Sequence, residues 1–265
     1  MVAVRIADRR ILRLIRQWLK AGVLEGGEWQ PADAGTPQGA TISPLLANIF
    51  LHHAFDVWAH LWGQKQARGQ VTIVRYADDF VVGFRYPSDA QAMWAGLRER
   101  LGKFGLAFHE EKTRLIEFGK FAARNRAREG QRRPETFDFL GFTHYCAQKR
   151  DGRFVVKRKT QSQRMTRKLK ELRGQARARM HAPVALQHKW LCSVLRGHYA
   201  YYGLPCNGPA LKAFREQVRR LWFRVLRRRS RHRLTWNRFA QLLTRFPLPP
   251  ARITHPWQPA PARLG

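Results

Sequence analysis

Two apolar runs, Val71–Arg75 and Phe80–Phe84, are separated only by Tyr76-Ala77-Asp78-Asp79. Runs this rich in β-branched and aromatic residues read as strands. A connection this short joins antiparallel neighbours, because a parallel pair needs a crossover of a dozen or more residues. The chain is therefore committed to a hairpin with acids at its tip. Two adjacent aspartates repel, so a tight turn gains little from holding both. In a strand, neighbouring side chains point to opposite faces, yet at a hairpin tip both can reach one divalent ion. A solvated Asp-Asp turn is the plain reading of the pair; a metal-binding pair is the sharper one.

The elements around the hairpin follow from spacing and caps. Asp8 can cap a helix over 8–20, where Ile11, Leu12, Ile15 and Leu19 recur at helical spacing. Gly22 to Gly39 is punctuated by Gly and Pro. Ser43 as N-cap and Pro44 at the first helical position start a helix that runs to about Trp62. Ser88 caps a helix with Met93, Leu97, Leu101 and Phe104 on one face. Leu106–Phe108 and Thr113–Phe118 read as short strands, Arg124–Arg133 as a basic loop, and Phe137–Tyr145 as a strand pair around Gly141. Phe154–Val156 ends the mixed region. Helices are expected at about 161–180, 184–203, 209–231 and 235–245, followed by an irregular Pro-rich end.

Charge divides the chain in two. The whole carries 50 Lys+Arg against 18 Asp+Glu, a net charge of +32. Residues 1–150 hold 23 basic and 15 acidic side chains (net +8), and residues 151–265 hold 27 and 3 (net +24). Such a balance calls for a polyanion, most commonly nucleic acid. A content of 44% hydrophobic and 12% aromatic residues excludes a disordered basic tail. No run approaches ~18 apolar residues, so no membrane partner is expected. Met1–Lys20 lacks an apolar signal core, and three cysteines without CxxC spacing fit a reducing, cytoplasmic location. The histidines show no metal-ligand spacing.

Tyr76-Ala77-Asp78-Asp79 resembles the YxDD signature of reverse transcriptases, in its YADD form. Gly35-Thr36-Pro37-Gln38-Gly39 with Ser43-Pro44-Leu45-Leu46-Ala47-Asn48-Ile49 resembles the motif preceding that hairpin in bacterial group II intron reverse transcriptase/maturases. Leu106–Phe118, containing Glu111-Lys112-Thr113, resembles the next motif, and Phe137-Asp138-Phe139-Leu140-Gly141-Phe142 the last palm motif. Arg196-Gly197-His198-Tyr199-Ala200-Tyr201-Tyr202, Arg227-Arg228-Arg229-Ser230 and the Trp236…Leu248-Pro249…His255-Pro256 tail resemble the maturase-specific thumb. The match runs in order along essentially the whole chain.

The resemblance implies an α+β fold: a partial right-hand polymerase palm, an antiparallel sheet with packed helices, followed by an all-α basic thumb. It divides the chain into palm (1–155), thumb or maturase-specific domain (156–246) and Pro-rich tail (247–265). Asp78 and Asp79 would be catalytic and would hold Mg²⁺, in a chemistry where two such ions stabilise the attacking and leaving oxygens. Tyr76, Ala77, Gln38, Gly39 and Lys112 would lie by the nucleotide or primer; each has an ordinary structural reading beside this one. Arg164, Arg167, Lys168, Arg177, Arg196, Arg227, Arg228 and Arg229 would grip RNA. The aromatics Trp190, Tyr199, Tyr201, Tyr202, Trp222 and Phe223 could stack on bases, although aromatics at helical spacing more often form core.

The same resemblance exposes a gap. The family's palm carries a further metal-binding Asp in an Asp-x-x-x-x-Phe-Asp segment, whereas Asp8, Glu25, Glu28 and Asp33 are the only acids before Gly35 and none lies in an apolar strand. The sequence is thus expected to start downstream of that Asp and of the fingers, as a fragment inactive as a polymerase on its own. The expected partners are intron RNA, a template–primer, dNTP if the site is catalytically complete, and a separate N-terminal half or a homodimer. The alternatives are a non-catalytic RNA-binding or RNA-chaperone remnant and a generic basic nucleic-acid-binding protein.

Overall fold

A computed structural model of the chain describes residues 2–4, 6–20, 23–25, 28–30, 42–131, 133–229 and 234–256. By internal contacts it divides into Met1–Leu115 and Ile116–Gly265. This division lies ahead of the compositional change near residue 155, so three strands belong with the basic helices.

In the first unit, α1 (Arg9–Lys20) starts where Asp8 Oδ1 accepts the Arg10 backbone N–H at 2.7 Å. A small antiparallel pair, β1 (Val23–Glu25) and β2 (Glu28–Gln30), follows within the Gly/Pro-punctuated stretch, for which no strand is expected from the sequence. The helix expected from Ser43 is present as α2 (Ser43–Leu51) and α3 (Val57–Lys65), joined without a break by a π-helical turn, His52–Asp56. Ile42 takes the N-cap position, so Ser43 and Pro44 are the first two helical residues and the helix starts one residue earlier than expected. Likewise Tyr86 is the N-cap of α4 (Pro87–Gly102), and Ser88 lies inside its first turn. Pro at the first position fixes that start, since its missing N–H is one the helix would leave unbonded anyway.

β3 (Val71–Tyr76) and β4 (Asp79–Phe84) form the hairpin, each one residue longer toward the tip than expected. Val71, Ile73, Phe80, Val82 and Phe84 pack against a core of Phe55, Ala59, Trp62, Met93, Leu97 and Leu101. Leu106 and Phe108 pack on the same core, but 106–109 has no ladder partner and is not a strand; neither is 113–118. Apolar alternation there reflects burial of an extended segment, which the sequence pattern cannot separate from pairing. The Gln66–Gln70 loop is pinned by the buried Asp89, which accepts the Arg68 and Gly69 N–H groups at 3.1 and 3.0 Å.

In the second unit, the stretch expected as basic loop is instead helical over α5 (Ala122–Arg128), with Ala122 buried. Alanine and arginine are strong helix formers, so the high charge alone misled. β5 (Phe137–Phe139), β6 (Phe142–Gln148) and β7 (Phe154–Thr160) form an antiparallel sheet in sequence order. α6 (Ser162–Ala178), α7 (Val184–Tyr202), α8 (Gly208–Arg229) and α9 (Trp236–Arg245) match the four expected helices closely. Their core includes Leu172, Leu191, Leu195, Tyr199, Phe214, Val218, Trp222 and Phe239.

Two buried amides tie this unit together. Gln187 donates to the carbonyls of Arg179, Met180 and Ala182, ending α6, and accepts the Trp222 indole N–H at 3.0 Å. Asn207, fully buried, accepts the Thr160 N–H and donates to Thr160 Oγ1 and the Tyr202 carbonyl, each at 2.8 Å. Over its described residues, 247–256, the tail is irregular, as expected, but built in. The carbonyls of Pro247 and Pro249 accept from His188 and from the Tyr199 hydroxyl, and Thr254 and His255 cover the last carbonyls of α7.

Candidate functional site

The hairpin tip is a two-residue turn. Tyr76 and Asp79 form the last strand pair, leaving Ala77 and Asp78 as the connection. Ala77 has φ 54°, in the left-handed region, while Asp78 does not. Positive φ at the first turn residue and not at the second is the φ pattern of a II′ turn, where glycine is usual. An alanine there costs about 1–2 kcal/mol, so the turn must be held from outside. The Arg75 guanidinium does this: Nη1 donates to the Ala77 carbonyl at 2.7 Å.

Arg75 is itself fixed. Its Nε and Nη2 donate to the two oxygens of Asp56 at 2.7 and 2.6 Å, and Nη1 also donates to Asn48 Oδ1 at 2.8 Å. Asn48 lies on α2, and Asp56 ends the π-helical turn. The hydrogen bonds from Arg75 hold the Asp56 carboxyl below the usual aspartate range despite partial burial. The Asp56 bonds raise the Arg75 guanidinium in turn. A bidentate, charge-assisted fork of this kind is among the stronger and more geometrically specific side-chain contacts.

The hairpin's inward face carries Val71, Ile73 and Phe80. The other carries Thr72, Val74, Tyr76 and Asp79, all exposed, with Tyr76 at 65% of its full accessibility. Asp78 is exposed in the turn. Among the described residues neither aspartate forms an ion pair, and no cluster of three or more His, Cys, Asp or Glu surrounds them. Two free, hard carboxylates suit Mg²⁺ as part of an oxygen ligand set that keeps water or phosphate in its other positions. Of the acids preceding Gly35, Asp8 caps α1, and Glu25 pairs with Glu28 across the β1–β2 turn.

Gln38 and Gly39 lie outside the described residues. Lys112 is exposed in a turn closed by its N–H to the His109 carbonyl at 3.0 Å, and among the described residues no ion pair joins it to Asp78 or Asp79. The predicted RNA contacts all belong to the second unit. Arg164, Arg167, Lys168 and Arg177 are exposed on α6, Arg196 on α7, and Arg227, Arg228 and Arg229 at the end of α8. Lys168 is shared with Glu171 at 3.2 Å, and Arg229 donates to the Ala182 carbonyl at 2.8 Å. Of the six aromatics considered for base stacking, Tyr201 is the exposed one, at 54%, and its hydroxyl donates to the Leu140 carbonyl. Tyr199, Trp222 and Phe223 are core; Trp190 and Tyr202 are half-buried. The Leu140-Gly141 turn that Tyr201 holds has both residues left-handed, at 50° and 76°.

The Arg75 clamp was missed in the sequence. Its signal was present: Arg75 falls in phase with Val71 and Ile73 on the inward face, where an unpaired charge is expensive. A partner for it had therefore to exist.

A family model described as reverse transcriptase (RNA-dependent DNA polymerase) matches residues 3–144. Protein YkfC of Escherichia coli K12 is 30% identical over 167 residues, covering 49% of this chain and 43% of that protein. The group II intron-encoded protein LtrA of Lactococcus lactis is 46% identical over 52 residues, 20% of this chain and 9% of that protein. An uncharacterized 91 kDa protein in the cob intron of Schizosaccharomyces pombe is 33% identical over 78 residues, 29% of this chain and 10% of that protein. The matched regions thus span less than half of each relative.

Proposed function

The chain belongs to the reverse transcriptase (RNA-dependent DNA polymerase) family and its group II intron reverse transcriptase/maturase members, and on that premise we propose that it binds intron RNA through its basic helices and carries the polymerase's metal-binding hairpin. The observation that carries this reading is the pair of exposed carboxylates, without an ion pair among the described residues, held at the tip of a braced two-residue turn. Asp78 and Asp79 are the residues that would hold Mg²⁺. When bound, such an ion stabilises charge on the oxygens of an in-line phosphoryl displacement. Tyr76, on the same face as Asp79, is set to border the primer end or the incoming nucleotide, and Ala77, being small, allows the strand to approach the turn.

The second unit supplies the grip. α6 presents six arginines and lysines and one acid, and every one of the six is exposed. A field of one sign is self-repulsive, and a bound polyanion offsets it. RNA gripped by the thumb would be intron RNA, a template–primer duplex, or both. A maturase role needs such binding alone, without nucleotide transfer.

On this reading Asp78 and Asp79 are the palm carboxylates and no Asp-x-x-x-x-Phe-Asp segment stands in the 265 residues, which are therefore expected to bind RNA without extending a primer. Two measurements with the purified chain test the proposal. Binding to a structured group II intron RNA should exceed binding to bulk RNA of equal length at every salt concentration; equal affinities would leave a generic basic protein. Mg²⁺-dependent primer extension should be absent, and its appearance, abolished by Asp78→Asn, would show a complete active site.

A further inference from the structure

The clamp around the hairpin tip has a consequence for the aspartates. Ala77 has a positive φ that its own side chain disfavours, and its carbonyl is held by a guanidinium that also donates to Asp56 and Asn48. Arg75, near the end of β3, thus links the turn to one distant helical segment, through Asn48 on α2 and Asp56 in the π-helical turn. A π-turn inserted in a helix shifts the residues after it around the helix axis, and such insertions recur at functional sites. Here it delivers Asp56 to Arg75. Arg75 is 14% exposed, and among the described residues it forms no ion pair with Asp78 or Asp79, so its role is indirect.

We propose that Arg75, oriented by Asp56 and Asn48, is a positioning residue that holds the Ala77-Asp78 turn in the left-handed geometry that presents both Asp78 and Asp79 to one divalent cation. This rests on the reading of those aspartates as metal ligands. Without the clamp, Ala77 is expected to relax to negative φ, which would re-aim Asp78 relative to Asp79. Lysine cannot replace the arginine, because one ammonium cannot span a carboxylate fork, a carboxamide and a carbonyl. Glycine at position 77 can, in part, because it adopts positive φ unaided.

The test uses Mn²⁺ as probe, titrated into the intact chain and followed by loss of the free-ion electron paramagnetic resonance signal. Wild type should show binding that Asp78→Asn/Asp79→Asn abolishes. Arg75→Met should weaken it roughly tenfold, the scale of losing a group that orients a metal ligand. Arg75→Lys should remain weak, and Ala77→Gly added to Arg75→Met should restore most of the affinity. A merely structural role for Arg75 would not be rescued by a change at the turn. Wild-type affinity in folded Arg75→Met, or no rescue by Ala77→Gly, overturns the proposal. If wild type shows no aspartate-dependent Mn²⁺ binding, the metal reading itself fails, and the ¹³Cα resonance of Ala77 decides the positioning claim. That resonance should move away from its left-handed value in Arg75→Met; an unmoved resonance overturns it.

Discussion

Gly203 follows the last residue of α7 at a point where a Cβ would collide with Thr254 Oγ1 and the Tyr199 carbonyl, and would sit 2.8 Å from Thr254 N. Its φ is ordinary, so the requirement is for space. The Gly203 carbonyl accepts the N–H groups of Thr254 and His255 at 2.9 and 3.0 Å, which is how the tail covers the helix end. Gly203→Ala is expected to lower stability by about 1–3 kcal/mol, the usual cost of overpacking, and to expose the tail to proteolysis. Thermal melting with limited trypsin digestion checks both. His198 makes a second claim at this scale. It is buried, stacked on Phe214 with ring centres 3.7 Å apart, and its Nε2 has no hydrogen-bond partner. Burial, with the charge of Lys168 adding to it, lowers its pKa to about 4. The unfolded chain takes up that proton near pH 6.5, so the fold is stabilised above pH 6.5 and loses the contribution as pH falls toward 4. The full effect is on the order of 3 kcal/mol. His198→Phe keeps the stacking and should flatten the stability profile between pH 6.5 and 4; an unchanged slope would assign the acid sensitivity elsewhere.

At the scale of elements, the buried join between sheet and helices in the second unit is centred on one amide. Asn207 uses its carbonyl and both amide hydrogens on Thr160 and Tyr202. Asn207→Ala would leave these groups buried and unpaired, each at about 1–3 kcal/mol, so the loss is expected to exceed that of an average core truncation. Hydrogen exchange at the Thr160 amide should rise with it. The sequence showed the helices α6 to α9 clearly, because apolar residues recur there at helical spacing over 10 to 22 residues. The hairpin was equally legible, since β-branched runs flank a short gap. What stayed hidden depends on partners far along the chain. Asn207 and Thr160 are 47 residues apart, Arg75 and Asp56 are 19 apart, and no local pattern records either pairing. The segment 106–108 looked like a strand because burial and pairing give the same alternation. The arginine-rich α5 looked like loop because charge was weighed above propensity.

For the whole molecule, the net charge of +32 becomes a measurable slope. Acids in the second unit are largely neutralised locally. Glu216, held to about pKa 2 mainly by its hydrogen bond from Arg219, also accepts from Arg220, and Glu171 accepts from Lys168. The basic residues left over face solvent along α6 and at the end of α8. If RNA phosphates meet them, each contact releases a counterion, and the logarithm of affinity falls linearly with the logarithm of salt concentration. Replacing Arg164, Arg167 and Arg177 by Gln removes up to three such contacts and should reduce the magnitude of the slope by roughly 0.7–0.9 for each phosphate lost. The substitutions lie on exposed helix positions and should leave the melting temperature nearly unchanged. Filter binding to a group II intron RNA between 50 and 300 mM salt, on the order of the range where such slopes are read, checks it. A slope identical to wild type would mean that α6 faces away from the RNA, and would transfer the grip to Arg227, Arg228 and Arg229, where the same triple replacement should then produce the change.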